Sequence, residues 1–128
     1  MREGETRKKI LLVEDEADIR ELYSEVLRDE GYEVMEAANG DTGLVLILQN
    51  DWDLLLLDIM LPGKDGVQIL KQMSDKHIGA RKPIILLTNL GSEHVINVCF
   101  DLGADGYLIK SEITPDKVVA EVKEFLGK

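Results

Sequence analysis

Glu14-Asp15-Glu16, Asp58, Thr88 and Lys110 are the residues whose types and positions could do chemistry. Each directly follows a short apolar run: ILLV before Glu14, LLLL before Asp58, IILL before Thr88 and YLI before Lys110. An aspartate at the mouth of a wholly apolar run costs free energy unless something pairs with its charge. Carboxylates brought close together repel and raise one another's pKa until a cation intervenes. Mg2+ (or Mn2+) suits such a set. Mg2+ takes oxygen ligands, keeps several waters, and typically uses one or two carboxylates plus phosphate oxygens. Lys110 could neutralise Asp58 or hold a phosphoryl oxygen as a point charge, and Thr88 could donate to such an oxygen. An aspartate placed among these groups is an arranged nucleophile for phosphoryl transfer through an aspartyl phosphate.

For these residues to meet, the chain must bring several strand ends to one edge. Its pattern does so. Apolar runs at Ile10–Val13, Leu54–Leu57, Ile84–Leu87 and Tyr107–Ile109, with the alternating apolar and charged stretch Tyr32–Ala37, read as five strands. Between them lie stretches with helical spacing. Ile19, Leu22, Tyr23, Val26 and Leu27 mark the first, stopped by Gly31; Leu44, Ile47 and Leu48 mark the second, ending near Asn50-Asp51. Val67, Leu70 and Met73 mark the third, and Val95, Ile96, Val98, Cys99 and Leu102 the fourth, closed by Gly103. The last has Thr114 as N-cap and Pro115 in its first turn, with Val118, Val119, Val122, Phe125 and Leu126 facing inward. Strands alternating with helices run parallel through right-handed crossovers, with helices on both faces. The expectation is an α/β, doubly wound (βα)5, flavodoxin-like three-layer sandwich. The alternating second strand belongs at the periphery and the apolar ones at the centre, which gives the order 2-1-3-4-5. In that order the ligand edge falls between strands one and three, beyond their carboxyl ends.

The chain has 128 residues and one cysteine, Cys99, and its formal net charge is −10. It divides into a polar N-terminal tail at 1–8 and a single domain at 9–128. So acidic a chain argues against direct contact with nucleic acid or an anionic membrane, both of which want a basic face. No apolar run reaches the roughly 18–20 residues that span a bilayer. The polar opening MREGETRK has no signal-like apolar core, and a lone cysteine fits a reducing cytosol. Cytoplasmic residence is expected. With no DNA-binding stretch after the last helix, the domain is expected to act through protein contacts alone or to be a piece of a longer chain.

These residues match a family. The chain resembles the receiver domain of bacterial two-component response regulators, the fold of the single-domain chemotaxis regulator. The resemblance runs from about Lys8 to Leu126. It rests on the acidic pair after strand one, on DxxxPxxxG from Asp58 through Pro62 to Gly66, on Thr88, and on YxxK from Tyr107 to Lys110. It implies that Asp58 is the phosphoacceptor. Asp15, Asp58 and the Met60 backbone carbonyl would be direct Mg2+ ligands, with Glu14 acting through water. Thr88 matches the hydroxyl that moves toward the phosphoryl group, Tyr107 the aromatic whose rotamer follows, and Lys110 the phosphate-binding lysine. The donor would be the phosphohistidine of a histidine kinase or histidine phosphotransfer protein. A downstream protein or a second copy would read the surface of helix four, strand five and helix five. Such a protein is a regulatory phosphoacceptor, catalysing only its own phosphotransfer and autodephosphorylation.

The chain departs from the family pattern twice. Ser111 follows Lys110 where proline after a cis bond is usual; a non-proline cis bond costs about 3–4 kcal/mol, so a trans bond and a different approach of Lys110 are expected. Asn89 stands where a small residue is usual, and is expected to narrow access to the phosphoryl site or change how Thr88 moves. Met60 and Leu90 flank the path of attacking water in this family, and neither orients a water by hydrogen bonding. Slow autodephosphorylation is the expectation.

Other readings compete. Glu14-Asp15-Glu16 alone reads as a solvated helix start, since acidic residues favour a helix N-terminus. Asp65 reads as capping chemistry, Asp51 and Asp53 as parts of a connection, Cys99 as buried filler, and His77 and His94 as solvated. Thr88 and Tyr107 take a role only beside Asp58. One alternative function is a degenerate receiver that binds proteins without phosphorylation. Another is a Mg2+-dependent phosphohydrolase with an aspartate nucleophile. That class usually has a second aspartate two residues on, where this chain has Met60.

Overall fold

A computed structural model describes residues 7–79, 81–89 and 93–127. Five strands, β1 (Lys9–Val13), β2 (Glu33–Ala37), β3 (Leu54–Asp58), β4 (Ile84–Thr88) and β5 (Gly106–Ile109), alternate with five helices. The helices are α1 (Ala17–Asp29), α2 (Gly40–Gln49), α3 (Gly66–Asp75), α4 (Glu93–Asp101) and α5 (Pro115–Leu126). All strand pairs are parallel and the order is β2-β1-β3-β4-β5, as the apolar pattern requires. No described helix is long and apolar enough to cross a membrane.

The unbroken apolar runs have a simple cause. Successive strand residues point to opposite faces, and here both faces are covered. Leu11, Val13, Leu55, Leu57 and Leu86 join one core with α2, α3 and α4 residues such as Ile47, Ile69, Leu70 and Cys99. Ile10, Leu12, Leu54, Leu56, Ile85 and Leu87 join the other with α1 and α5 residues such as Tyr23, Leu27, Val118 and Val122. Every residue of β3 and β4 is buried, whereas β2 alternates and β5 is half-exposed, as edge strands should be.

Helix signals act where the sequence places them. Thr114 Oγ1 accepts from the Lys117 amide at the start of α5. Asp65 and Gln68 form a reciprocal capping box on α3, each side chain accepting from the other's backbone amide at 2.9 and 3.0 Å. Gly31, beyond α1, is left-handed at φ 97°, and so is Asn50 after α2 at φ 58°. The predicted stripes are otherwise right in direction and off in detail. Leu22 lies outward, 41% exposed, because the inward arc of α1 is narrow and Tyr23, Ser24 and Leu27 fill it. On α3 the buried residues are Ile69, Leu70 and Met73, while Val67 is only half-buried.

Candidate functional site

The carboxyl ends of β1, β3, β4 and β5 meet at one edge, and each brings a polar residue. Register fixes the neighbours. Asp58, the last residue of β3, lies opposite Leu87, and Thr88, the last residue of β4, lies opposite Ile109. Lys110 therefore follows directly on the strand beside Thr88, and Asp58 lies one strand beyond. Asp58 and Thr88 are each 2% exposed, and Glu14 is fully buried. The tight loop after Asp58 is held from three sides. The Gly66 amide donates to the Ile59 carbonyl, the Met60 amide donates to Asp58 Oδ1 at 3.0 Å, and the Gly40 amide reaches the Pro62 carbonyl. A Cβ on Gly40 would overlap the Lys64 carbonyl, so glycine is what lets α2 approach this loop.

Lys110 is the centre. Its Nζ donates to Glu14 Oε2 at 2.9 Å, Glu16 Oε2 at 2.9 Å and Asp58 Oδ2 at 3.0 Å, and its side chain is only 3% exposed. Burial alone would pull the lysine pKa down, but the bonds to Glu16, Glu14 and Asp58 together overcome it and hold it above its ordinary value. Glu14 Oε2 also accepts from the Glu16 amide at 2.9 Å. Even so, burial pushes the Glu14 carboxyl up from 4.5 to about 7. Burial likewise raises Asp58; Lys110 and the Met60 amide oppose the rise, and the neighbouring Asp15 carboxyl adds to it.

One ammonium among so many carboxylates leaves the pocket short of positive charge. Glu14 Oε1 is buried without a hydrogen-bond partner. Carboxylate oxygens of Glu14, Asp15 and Glu16 lie within 4.8 Å of one another. An all-oxygen donor set, crowded and partly unsatisfied, fits a hard divalent cation such as Mg2+.

Comparison with known proteins gives this geometry a family. A sequence model of the response regulator receiver domain matches residues 10–123. The chain belongs to that family. The receiver is 42% identical over 120 residues to the transcriptional regulatory protein ResD of Bacillus subtilis, covering 94% of this chain and 48% of that one. It is 38% identical over 121 residues to the phosphate regulon transcriptional regulatory protein PhoB of Pseudomonas aeruginosa, covering 94% and 52%. It thus spans about half the length of these curated relatives. Among solved structures, it superposes on a CheY-like receiver domain protein from Methanospirillum hungatei with TM-score 0.87 at 30% identity, covering 95% of each chain. With the chemotaxis protein CheY4 of Vibrio cholerae the TM-score is 0.85 at 28% identity, covering 94% and 99%.

The receiver's structure brings Glu14, Asp58 and Lys110 into contact and sets Thr88 in the adjoining strand. Tyr107 stands apart, 43% exposed on β5 and edge-on to Phe100 with ring centroids 6.2 Å apart. The Met60 side chain points out, 74% exposed, and its amide belongs to the site through Asp58. No peptide bond among the described residues is cis, that between Lys110 and Ser111 included. Residues 110–112 form a single 3-10 turn. Asn89 is exposed, and Leu90 lies outside the described residues.

Two contacts of the site go beyond what the sequence pattern indicates. Glu16 is the third partner of Lys110. Arg20, one helical turn on, donates from Nη1 to the Glu14 backbone carbonyl at 2.8 Å and pairs with Glu36 of β2 at 3.5 Å. Glu16 occupies the N-cap of α1, a position that favours Ser, Thr, Asp or Asn, and its side chain makes no capping bond.

Proposed function

We propose that the chain is a phosphorylation-controlled signalling switch in which Asp58 accepts a phosphoryl group from the phosphohistidine of a histidine kinase or histidine phosphotransfer protein. An Asp58 carboxylate oxygen attacks phosphorus, the P–N bond to the donor imidazole breaks, and the departing nitrogen keeps the bond's electrons and takes up a proton. The observation that carries this reading is the 3.0 Å contact between buried Asp58 and Lys110 at the sheet edge. Lys110 opposes the burial that raises the Asp58 carboxyl and is placed to take a phosphoryl oxygen. Asp15, Asp58 and the Met60 carbonyl would hold Mg2+ (or Mn2+), with Glu14 acting through water. When bound, the cation supplies positive charge against the phosphoryl oxygens. Thr88, buried between the strands of Asp58 and Lys110, donates its hydroxyl to the phosphoryl group.

The output follows as a population shift between two packings. Thr88 moves toward the phosphoryl group and Tyr107 turns from its exposed position into the space left behind. The face of α4, β5 and α5 changes with it and meets a downstream protein or a second copy. A hollow of about 260 Å3 on this face is lined by Tyr107, Leu108, Ile109, Glu112, Ile113 and Lys117. The chain's charge of −10 supports a domain that does not itself contact nucleic acid, whatever the longer regulators do, and its lone cysteine fits a cytoplasmic setting. Met60 offers no group to orient attacking water, which supports a long-lived phosphoryl group.

Incubation with phosphoramidate or acetyl phosphate and Mg2+ should add the mass of one phosphoryl group, and Asp58→Asn should abolish it. No mass gain in the wild-type chain favours a degenerate, protein-binding receiver. Steady turnover of small phosphate esters favours a hydrolase.

A further inference from the structure

Lys110 has three N–H donors, and all three are spent: on Glu14, Glu16 and Asp58 at 2.9, 2.9 and 3.0 Å. A phosphoryl oxygen arriving at Asp58 finds no free donor on the lysine meant to hold it. One bond must open first. The three partners differ sharply in what release would cost. The Glu14 side chain is fully buried and that of Asp58 is 3% exposed, so losing Lys110 would strand either carboxylate away from water. The Glu16 side chain is 49% exposed and can return to solvent.

We propose that Glu16 is a releasable latch: it holds Lys110 in its resting position and sets how readily Asp58 is phosphorylated by giving up one N–H to the phosphoryl group. The inference rests on the reading of Asp58 as phosphoacceptor. Glu16 touches no reacting atom in this scheme and acts through Lys110, so it is a positioning residue. Its location supports the role. It stands at the N-cap of α1 without capping that helix, so local helix chemistry does not account for its side chain. Meanwhile its own amide donates to Glu14 Oε2, the oxygen that also receives Lys110. Residues 14–16 thus close around the ammonium, with a buried fixed jaw at Glu14 and an exposed movable one at Glu16.

The test compares Glu16→Ala with Asp18→Ala at saturating Mg2+. Both remove one exposed carboxylate from the start of α1, but only Glu16 touches Lys110. A half-exposed ion pair of this kind corresponds to an acceleration of about two- to fivefold. Phosphorylation of Glu16→Ala should rise by that factor with acetyl phosphate and with the less negatively charged phosphoramidate alike. Asp18→Ala should match wild type, and Glu16→Gln, which keeps a neutral acceptor, should fall between. Lys110 ammonium protons, followed by 15N NMR without any phosphodonor, should exchange faster with water in Glu16→Ala. Equal rates in wild type and Glu16→Ala overturn the latch, as does equal acceleration by Asp18→Ala or a gain confined to acetyl phosphate, both of which mark simple charge repulsion. A wild-type chain that never gains a phosphoryl group overturns the underlying reading as well. The latch failing by itself leaves wild-type phosphorylation intact, so the two failures are distinguishable.

Discussion

Replacing Glu14 by glutamine should flatten the dependence of folding stability on pH. In the folded chain burial holds the Glu14 carboxyl up, from 4.5 to about 7, so the native state binds this proton more tightly than the unfolded state does. The stabilisation it provides is fully present below about pH 4.5 and is lost as pH rises toward 7. At about 1.4 kcal/mol per pH unit, the gap between the two values makes the loss about 3 kcal/mol. Asp58, also raised by burial, acts in the same direction. Lys110 is held above its ordinary value and stays charged throughout, so it adds no slope. Urea unfolding in the presence of a chelator, from about pH 5 to pH 8, measures this directly. Wild type should lose stability across the interval, and the difference from Glu14→Gln should move in the variant's favour by up to about 3 kcal/mol. Added Mg2+ should restore wild type more than the variant at the alkaline end, because a ligand that binds only the native state stabilises it. Parallel profiles for the two proteins would refute the claim that burial holds the Glu14 carboxyl well above its ordinary value.

Three further outcomes follow from the same contacts. Gly40→Ala forces a methyl into the Lys64 carbonyl and should lower stability by about 1–3 kcal/mol in urea melts, with weaker Mg2+ binding because the displaced loop follows Asp58. Asp65→Ala removes the capping box of α3 and should cost about 1 kcal/mol, read as a lower urea midpoint with phosphorylation retained. Mg2+ should raise the melting temperature of wild type, and Asp15→Asn should reduce that rise; an unchanged rise would remove Asp15 from the cation site.

The fold was legible because its sheet is covered on both faces. That makes the central strands continuous apolar runs and leaves β2 alternating, so strand order follows from which runs look buried. Residues Asp58 and Thr88 extend β3 and β4 by one position beyond the runs, because the ladder continues to the mouth of the sheet where a polar side chain can be satisfied. Periodicity does not resolve how wide each buried arc is, so the pattern points Leu22 inward and leaves out Ile69. In the site, Asp58 and Lys110 could be placed together because strand ends share an edge in a parallel sheet. The reach of Glu16 to Lys110 and of Arg20 to the Glu14 carbonyl depends on rotamers of long side chains, and spacing carries no trace of those. Asp51 and Asp53 look in the sequence like a plain connection, yet they tie down β1: Asp53 Oδ2 accepts from the Lys9 amide at 2.7 Å, and Asp51 pairs with Lys9 Nζ at 3.0 Å.

The central claim is that Asp58 is the carboxylate that becomes phosphorylated. An acyl phosphate is reduced by borohydride to an alcohol, so a phosphorylated aspartate is converted to homoserine at its own position. After treatment with phosphoramidate and Mg2+, followed by borohydride and peptide mass mapping, homoserine should be found at position 58 and at none of the other acidic residues of the pocket. Homoserine at position 15, the longer alcohol 5-hydroxynorvaline that a reduced glutamyl phosphate leaves at position 14 or 16, or no alcohol anywhere, would contradict the account.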